Sequence, residues 1–599
     1  MDRQDGFAPL TSYSMLGDCR AGALVATDGS IDWFAAPKLH RPPVCAALLD
    51  PEGGGAITLA PTVEHECSQR YLPDTMVLET TFRCADAVVR VTDSLNRSVT
   101  GPLPWSELAR RVEVTGDPVP MRWEVRPGHR LGTERPWAER SHDTVVLHVG
   151  DLLLGLVTDG VGTPCVQHRA GGALVTGEFT IDNGQRALLA VTAVESAPLP
   201  LPPAREVDGR IDTTAELWQQ WAGQVQHDGP LADAVRRSAI TLKALTIAPT
   251  DGMAAALTTS LPEHIGGERN FDYRFGWVRD ASFAIDAQFA LGLTQEVHGS
   301  LSWLLRAVRA TAPEVRTMYT IDGEPASAAM TGLEELPGYR GSTPVHLGNS
   351  AAEQLQTGAY GDLLDAVWRF VDQRGCLDPD SGQVVAAIVD RVCDLWQQKD
   401  SGLWELGDQE HYTSSKIGCW VALDRGVRLA GAGQVPGQHA DRWRTERDAV
   451  HAWVDQHCWS QTKSSYTFHA GTDELDCAVL LAARTGFLAG DDPRLASTVE
   501  AIRAELGAGE ALLYRYSGMA GQEGAFLACS AWLVEALVAI GRHEEAEELL
   551  VELVRHSTGT GLMTEQADPG SGELLGNLPQ GLTHLAVIGA ATAVANRHA

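Results

Sequence analysis

The sequence predicts a two-part protein, an N-terminal antiparallel β-sandwich followed by an all-α (α/α)6 barrel. Three observations carry this prediction. At 599 residues the chain exceeds what one ordinary core fills. Up to about Val194 it runs in short apolar stretches punctuated by Gly, Pro and Asp, the pattern of a sandwich. From Pro230 onward the periodicity becomes helical, with no strand signal between successive helices.

In the first part, residues 23–35 (ALVATDGSIDWFA) place Asp28-Gly29 between two apolar runs, a hairpin signal because Gly accepts the positive φ of a tight turn. Further strands are predicted at 76–82, 88–92, 109–114, 144–149, 152–157, 174–181 and 186–194. The Pro-rich 197–204 (APLPLPPA) can continue no ladder and reads as a linker, followed by a short helix near 213–224. The expected division is therefore a sandwich over 1–196, a linker with its helix over 197–229 and the barrel over 230–599.

Helices are predicted at 231–248, 281–291, 295–311, 349–370, 382–398, 415–429, 438–454, 474–484, 493–506, 523–540, 543–556 and 579–596. Twelve in succession suit six hairpins closed into a double-layered barrel, whose long loops at one end would surround a pocket. Chemically rich connections (260–280, 335–347, 400–414, 515–522, 558–578) alternate with bland ones such as 430–435, as a one-ended site requires.

Composition narrows the function. With 44% hydrophobic and 21% charged residues the chain is of globular type, and its net charge of −31 disfavours nucleic acid and anionic membranes. A neutral small molecule suits it better. The start, MDRQDGFAPLTSYSML, lacks a basic segment followed by an apolar one, and no eighteen apolar residues run together. Neither signal peptide nor membrane span is expected, and the expected compartment is the cytoplasm. Eleven cysteines without a CxxC pair fit reduced thiols better than a disulfide framework or zinc site. No HExxH, Walker or GxGxxG pattern occurs, so no metal and no cofactor are expected, while formation of a homo-oligomer is left open.

Two loop glutamates carry the chemistry. Glu405 follows Trp404, and an apolar neighbour disfavours the charged form of a carboxyl, as a general acid needs. Glu565 stands beside Gln566 in a loop structured by glycines and prolines. Read singly, each is equally a surface glutamate. Together, opening loops on the same predicted end, they match an inverting glycoside hydrolase, which needs one acid and one base roughly 6.5–9.5 Å apart. In the first loop Arg279 and Asp280 could bind adjacent sugar hydroxyls and Trp277 could stack on a sugar ring, although Asp280 could equally cap a helix. The second loop crowds Tyr339, Arg340, His346 and Asn349 around glycines.

The motifs SLPEHIGGERNFDYRFGWVRD (260–280), GYRGSTPVHLGN (338–349), GLWE (402–405), SSKIGCWVALDR (414–425), GTDELD (471–476), YRYSG (514–518), EGAFLACSAWLVEAL (523–537) and TEQADPGSGELLGNLPQ (564–580) resemble glycoside hydrolase family 15. This glucoamylase-like group includes bacterial trehalases, and the likeness spans nearly the whole chain. It implies the same sandwich and barrel, with Glu405 as general acid, Glu565 as general base, and no cofactor. It further implies that Arg279 and Asp280 hold the innermost glucose, with Tyr273 near the attacking water, Trp404 lining the pocket, Arg515 on the hydroxyls and Glu523 nearby. The chain departs from the family pattern at Phe271, Gly276, His346 and Ser414; the last two are expected at the pocket rim, where aglycone preference is set. The implied activity is release of β-glucose from the non-reducing end of a small α-glucoside, with trehalose ahead of isomaltose and maltose. An inverting disaccharide phosphorylase, or a silent sugar-binding protein on the same fold, are the alternatives.

Overall fold

A computed structural model of the protein describes residues 3–141, 144–196 and 198–596. Ala197, in the expected linker, lies outside the described residues, as do the ends of the predicted outer domains. Fifteen strands build two antiparallel sheets: β1 (Tyr13–Gly17), β2 (Gly22–Ala26), β3 (Ile31–Ala35), β4 (Gly55–Pro61), β5 (Glu66–Tyr71), β6 (Leu78–Cys84), β7 (Ala87–Leu95), β8 (Ser106–Gly116), β9 (Val119–Pro127), β10 (Trp137–Ser141), β11 (Thr144–Val149), β12 (Leu152–Asp159), β13 (Cys165–Arg169), β14 (Gly172–Ile181) and β15 (Arg186–Glu195). One sheet runs β1-β2-β3-β4-β9-β14-β13, the other β10-β11-β12-β15-β8-β7-β6-β5.

The facing sides bury Val25, Phe34, Phe82, Val112 and Trp123 in one apolar core. Across it Arg110 of β8 is clamped by Asp93 of β7 at 2.7 and 3.1 Å, and its guanidinium also donates to the carbonyls of Ile57 (3.2 Å) on the opposite sheet and of Gly29 (2.7 Å) in the turn between β2 and β3. The alternate residues of β1–β3, including Tyr13, Met15, Leu24 and Trp33, pack into the barrel core instead. Burial on both faces explains why these strands are apolar throughout.

The connecting helix α1 (Ala204–Ala222) begins directly after Pro203, earlier than the short helix expected near 213. It is no free tether. Val207 and Ile211 pack on the outer face of the second sheet, Arg111 pairs with Asp208 and Asp212, Arg210 pairs with Glu107, and Trp218 enters the barrel core.

Twelve further helices follow: α2 (Ala232–Leu245), α3 (Val278–Ala290), α4 (Thr294–Arg309), α5 (Gly358–Asp372), α6 (Pro379–Leu395), α7 (Thr413–Gly431), α8 (Ala440–His457), α9 (Leu481–Thr485), α10 (Pro493–Leu506), α11 (Leu527–Ala539), α12 (His543–Leu553) and α13 (Gly581–Asn596). The helices α3, α5, α7, α9, α11 and α13 touch in a closed inner ring, and the others form the outer layer. Inner helices are apolar nearly all round, as α11 and α13 show, because each faces helices on several sides. Close approach of α5 and α7 requires glycine: a Cβ at Gly361 would lie 2.4 Å from the Gly418 carbonyl oxygen. The helices expected from 349 and 474 start only at Gly358 and Leu481. Residues Ser350–Glu353 and Cys477–Leu480 are 3-10 turns, each capped by the preceding Asn349 or Asp476.

Cys477 and Cys529 form a disulfide, which departs from the expectation of reduced thiols. Among the described residues no helix is long and apolar enough to cross a membrane. The buried Arg110–Asp93 pair gives a stability test. Asp93→Ala leaves a guanidinium uncompensated in an apolar core, and should cost roughly 3–5 kcal/mol, seen as a lowered urea midpoint; an unchanged midpoint would contradict the buried clamp.

Candidate active site

The segments that lead into the inner helices converge at one end of the barrel, while those leaving them, such as residues 291–293 and 540–542, are short. The converging segments surround a cavity of about 190 Å3. Its wall contains Glu263, Arg269, Phe271, Tyr273, Trp277 and Arg279 from the first loop, Gln354 from the second, Trp404 and Glu405 from the third, Arg515 and Phe526 from the fourth, and Glu565 and Gln580 from the last. Helix N-termini point to this end, which favours negative charge there.

Each glutamate is held by an aromatic donor. The Trp277 indole N–H donates to Glu405 Oε1 at 2.6 Å, and the Tyr273 hydroxyl donates to Glu565 Oε1 at 2.8 Å. The two rings meet edge to face with centroids 5.5 Å apart. One aromatic pair therefore orients both carboxyls. Trp277 is fixed in turn as the last residue before α3 and by pairing of Gly276–Trp277 with Met318–Tyr319.

Glu405 adopts a left-handed backbone with φ +62°, uncommon for a non-glycine residue. Its carbonyl accepts from Gln354 Nε2 at 3.0 Å, and its amide donates to Gly402 O at 3.3 Å. Strain of about 1–3 kcal/mol is typical of such positions, and the surrounding bonds sustain it. Loss of water raises the Glu405 pKa above the ordinary carboxylate range, while Arg279 and the Trp277 donor oppose the rise.

Glu565 is pushed up to about 8, first by burial and then by Glu263, against the opposing pull of Arg515 and Tyr273. Glu263 belongs to a charge cluster. Arg515 pairs with both Glu523 and Glu263, and Arg269 reaches Glu263 at 2.8 Å and Glu523 at 3.4 Å. Two guanidiniums are thus balanced by two carboxylates, so an ionised Glu565 adds a third negative charge. The Arg515 guanidinium lies 5.4 Å from the Trp404 ring centroid, which keeps the cation against the pocket wall.

Of the residues singled out in the sequence, Phe271, Tyr273, Trp277, Arg279, Asn349, Trp404, Glu405, Arg515 and Glu565 meet in the wall. The others stand behind it. Asp280 is buried in the first turn of α3, paired with Arg279 at 3.2 Å, and is not the capping residue. Glu523 pairs with Arg515 and Arg269 and adds to the negative charge that raises Glu565. The side-chain amide of Gln566 is buried without a partner among the described residues, and its backbone pairs with Phe526 and Leu575. The Tyr339 hydroxyl donates to Ala8 O at 3.0 Å, and Arg340 pairs with Glu573.

Neither residue expected at the rim lies in the wall of this cavity. His346 is buried, with Nδ1 2.5 Å from Asn270 O, and so braces the loop that carries Phe271. Ser414 lines a second cavity of about 70 Å3 deeper along the barrel axis. Conversely, the wall also holds Glu263, Arg269, Gln354, Phe526 and Gln580, which the sequence does not single out. All but Gln354 lie within the family motifs, but nothing local marks which side chains of a motif face inward.

Comparison with known proteins identifies the family. The family model "Glycosyl hydrolases family 15" matches residues 229–560, and "Trehalase-like, N-terminal" matches residues 5–141. The chain is 34% identical over 621 residues to a trehalase of Mycolicibacterium smegmatis, spanning 98% of this chain and 91% of that protein. It is 33% identical over 623 residues to a trehalase of Mycobacterium tuberculosis (98% and 89%), and 29% identical over 602 residues to one of Thermoplasma volcanium (98% and 93%). A bacterial glucoamylase complexed with acarbose shares the fold, with a TM-score of 0.75 at 12% identity over 100% of this chain and 95% of that one. Sandwich, closed barrel and relatives together define a glycoside hydrolase. The chain belongs to glycosyl hydrolases family 15.

The charge cluster gives a direct test. Replacing Glu263 by Gln removes the largest charged influence that raises Glu565 and leaves the arginines less neutralised, and both changes ease ionisation. The Glu565 carboxyl of E263Q, followed by 13C NMR, should titrate at lower pH than in the unsubstituted protein. An unchanged or higher midpoint would contradict the coupling.

Proposed function

We propose that the protein is an inverting, exo-acting α-glucoside hydrolase, with trehalose as its substrate and isomaltose or maltose as the nearest competitors. The observation that carries this reading is that Glu405 and Glu565, from separate loops, face one cavity and are each oriented by one member of the Tyr273–Trp277 pair. Two carboxyls around one scissile bond are what acid and base catalysis of glycoside hydrolysis needs. A volume near 190 Å3 is below the ~300–1,000 Å3 typical of drug-sized pockets, which supports a site closed around a single terminal sugar. The trehalase names of the relatives support trehalose.

In this mechanism Glu405 donates its proton to the glycosidic oxygen. Trp277 occupies Oε1, so Oε2 is the oxygen free to carry that proton. Glu565 takes a proton from water, which attacks the anomeric carbon from the opposite face as the C–O bond breaks. Trp404 offers an apolar wall to the sugar, and Arg279 and Arg515 offer donors to its hydroxyls.

The resting charge state favours a protonated Glu565 more strongly than the base role wants. The assignment of roles therefore rests on the geometry and the family motif, and the raised pKa has a kinetic consequence instead. Turnover needs Glu565 ionised, so the rate should climb with pH well above the ordinary carboxylate range.

The test is glucose release from trehalose, isomaltose and maltose by the intact protein and by Glu405→Gln and Glu565→Gln. Each variant should retain the fold and lose about 10²-fold or more in kcat on the preferred sugar. Near-normal turnover in either variant would remove that residue from the mechanism.

A further inference from the structure

The GTDELD segment at 471–476 lies outside the acid and base machinery, yet its last residue reaches the pocket wall from behind. Asp476 is fully buried. Its Oδ1 accepts the Trp404 indole N–H at 2.8 Å and the Ala478 amide at 2.9 Å, while Oδ2 has no partner among the described residues. The neighbouring backbone is joined to the segment of Arg515: the Cys477 amide donates to Arg515 O at 2.9 Å, and Asp476 bridges Tyr516. Phe526 meets the Trp404 ring edge-on at 5.2 Å and Trp532 lies 6.0 Å away. Packing thus limits where the ring can go, and a single polar contact selects its rotation. A buried indole N–H left unpaired would be costly, so the contact is one the side chain will turn to keep.

We infer that Asp476 is a positioning residue, which sets the Trp404 indole in the sugar-binding wall. This rests on the hydrolytic reading of the pocket given above. Two functions meet at Oδ1, capping of the 3-10 turn and holding of the indole, and substitution can separate them. Serine at 476 is a good cap, but its short side chain cannot reach the indole. Asparagine keeps an acceptor oxygen for both.

Asp476→Ser should retain a near-normal melting temperature and lose about tenfold in kcat/KM, mostly through KM because Trp404 is wall and not proton donor. Asp476→Asn should stay within about threefold. Trp404→Phe lacks the indole donor, so adding D476S to W404F should cause little further loss; fully additive losses would overturn the inference. The Trp404 indole N–H, assigned in 15N-tryptophan-labelled protein by its absence in W404F, should shift and exchange faster in D476S. An unchanged signal would overturn the inference as well. Should D476S not fold, D476N carries the test: loss of both activity and the indole signal in that variant contradicts the inference. The NMR readout needs no turnover. A protein that cleaves none of the three disaccharides would defeat the hydrolytic reading while leaving the Asp476–Trp404 contact separately measurable.

Discussion

The site depends on keeping several carboxyls close together in a place with little water. Glu405, Glu565, Glu263 and Glu523 cluster, and among the described residues Arg279, Arg269 and Arg515 answer them. Burial raises the cost of each negative charge, and the arginines lower it. Too little cationic support would leave Glu565 protonated, and too much would strip Glu405 of its proton. Placing the charge cluster on the Glu565 side, and the Trp277 donor and Arg279 on the Glu405 side, lets the two carboxyls differ within one cavity. The shared Tyr273–Trp277 pair then fixes their relative orientation.

The rest of the fold serves that placement. No short peptide could hold loops that lie hundreds of residues apart in the chain, so the closed inner ring brings their ends together. The sandwich adds a brace from outside: Tyr339 binds the Ala8 carbonyl, Arg274 donates to Arg41 O at 3.3 Å, and Tyr13, Met15 and Trp33 pack into the barrel core. Helix α1 completes the attachment through Arg111 and Arg210 on one side and Trp218 on the other. Residues expected to touch sugar, such as Tyr339 and His346, instead hold the loops that line the cavity.

The barrel was legible because amphipathic and wholly apolar helices both leave a strong local period, and all twelve were found. Several strands were not. The edge strand β5, ECSQRY, is polar and half-exposed, and β9 begins and ends beside prolines, so neither carries an apolar run. The short helix expected near 213 proved longer because Pro203 can precede a first turn, which made the linker signal and the helix start coincide. Among site residues, Glu405 and Glu565 could be found from motif and composition. The Arg515–Glu263 bond joins positions 252 residues apart, and no local pattern announces such a partner. Motifs also do not say which face of a loop looks inward, which is why Gln566 and Arg340 were grouped with true wall residues.

The most direct measurement is the anomeric composition of glucose first released from trehalose, read by 1H NMR before mutarotation. In this disaccharide one glucosyl unit is attacked at its anomeric carbon, while the other leaves with its own C–O bond intact. Water delivered by Glu565 from the face opposite Glu405 inverts only the first. The account therefore predicts β- and α-glucose in equal initial amounts. Release of α-glucose alone would mean retention, and would contradict the roles given to the two carboxyls.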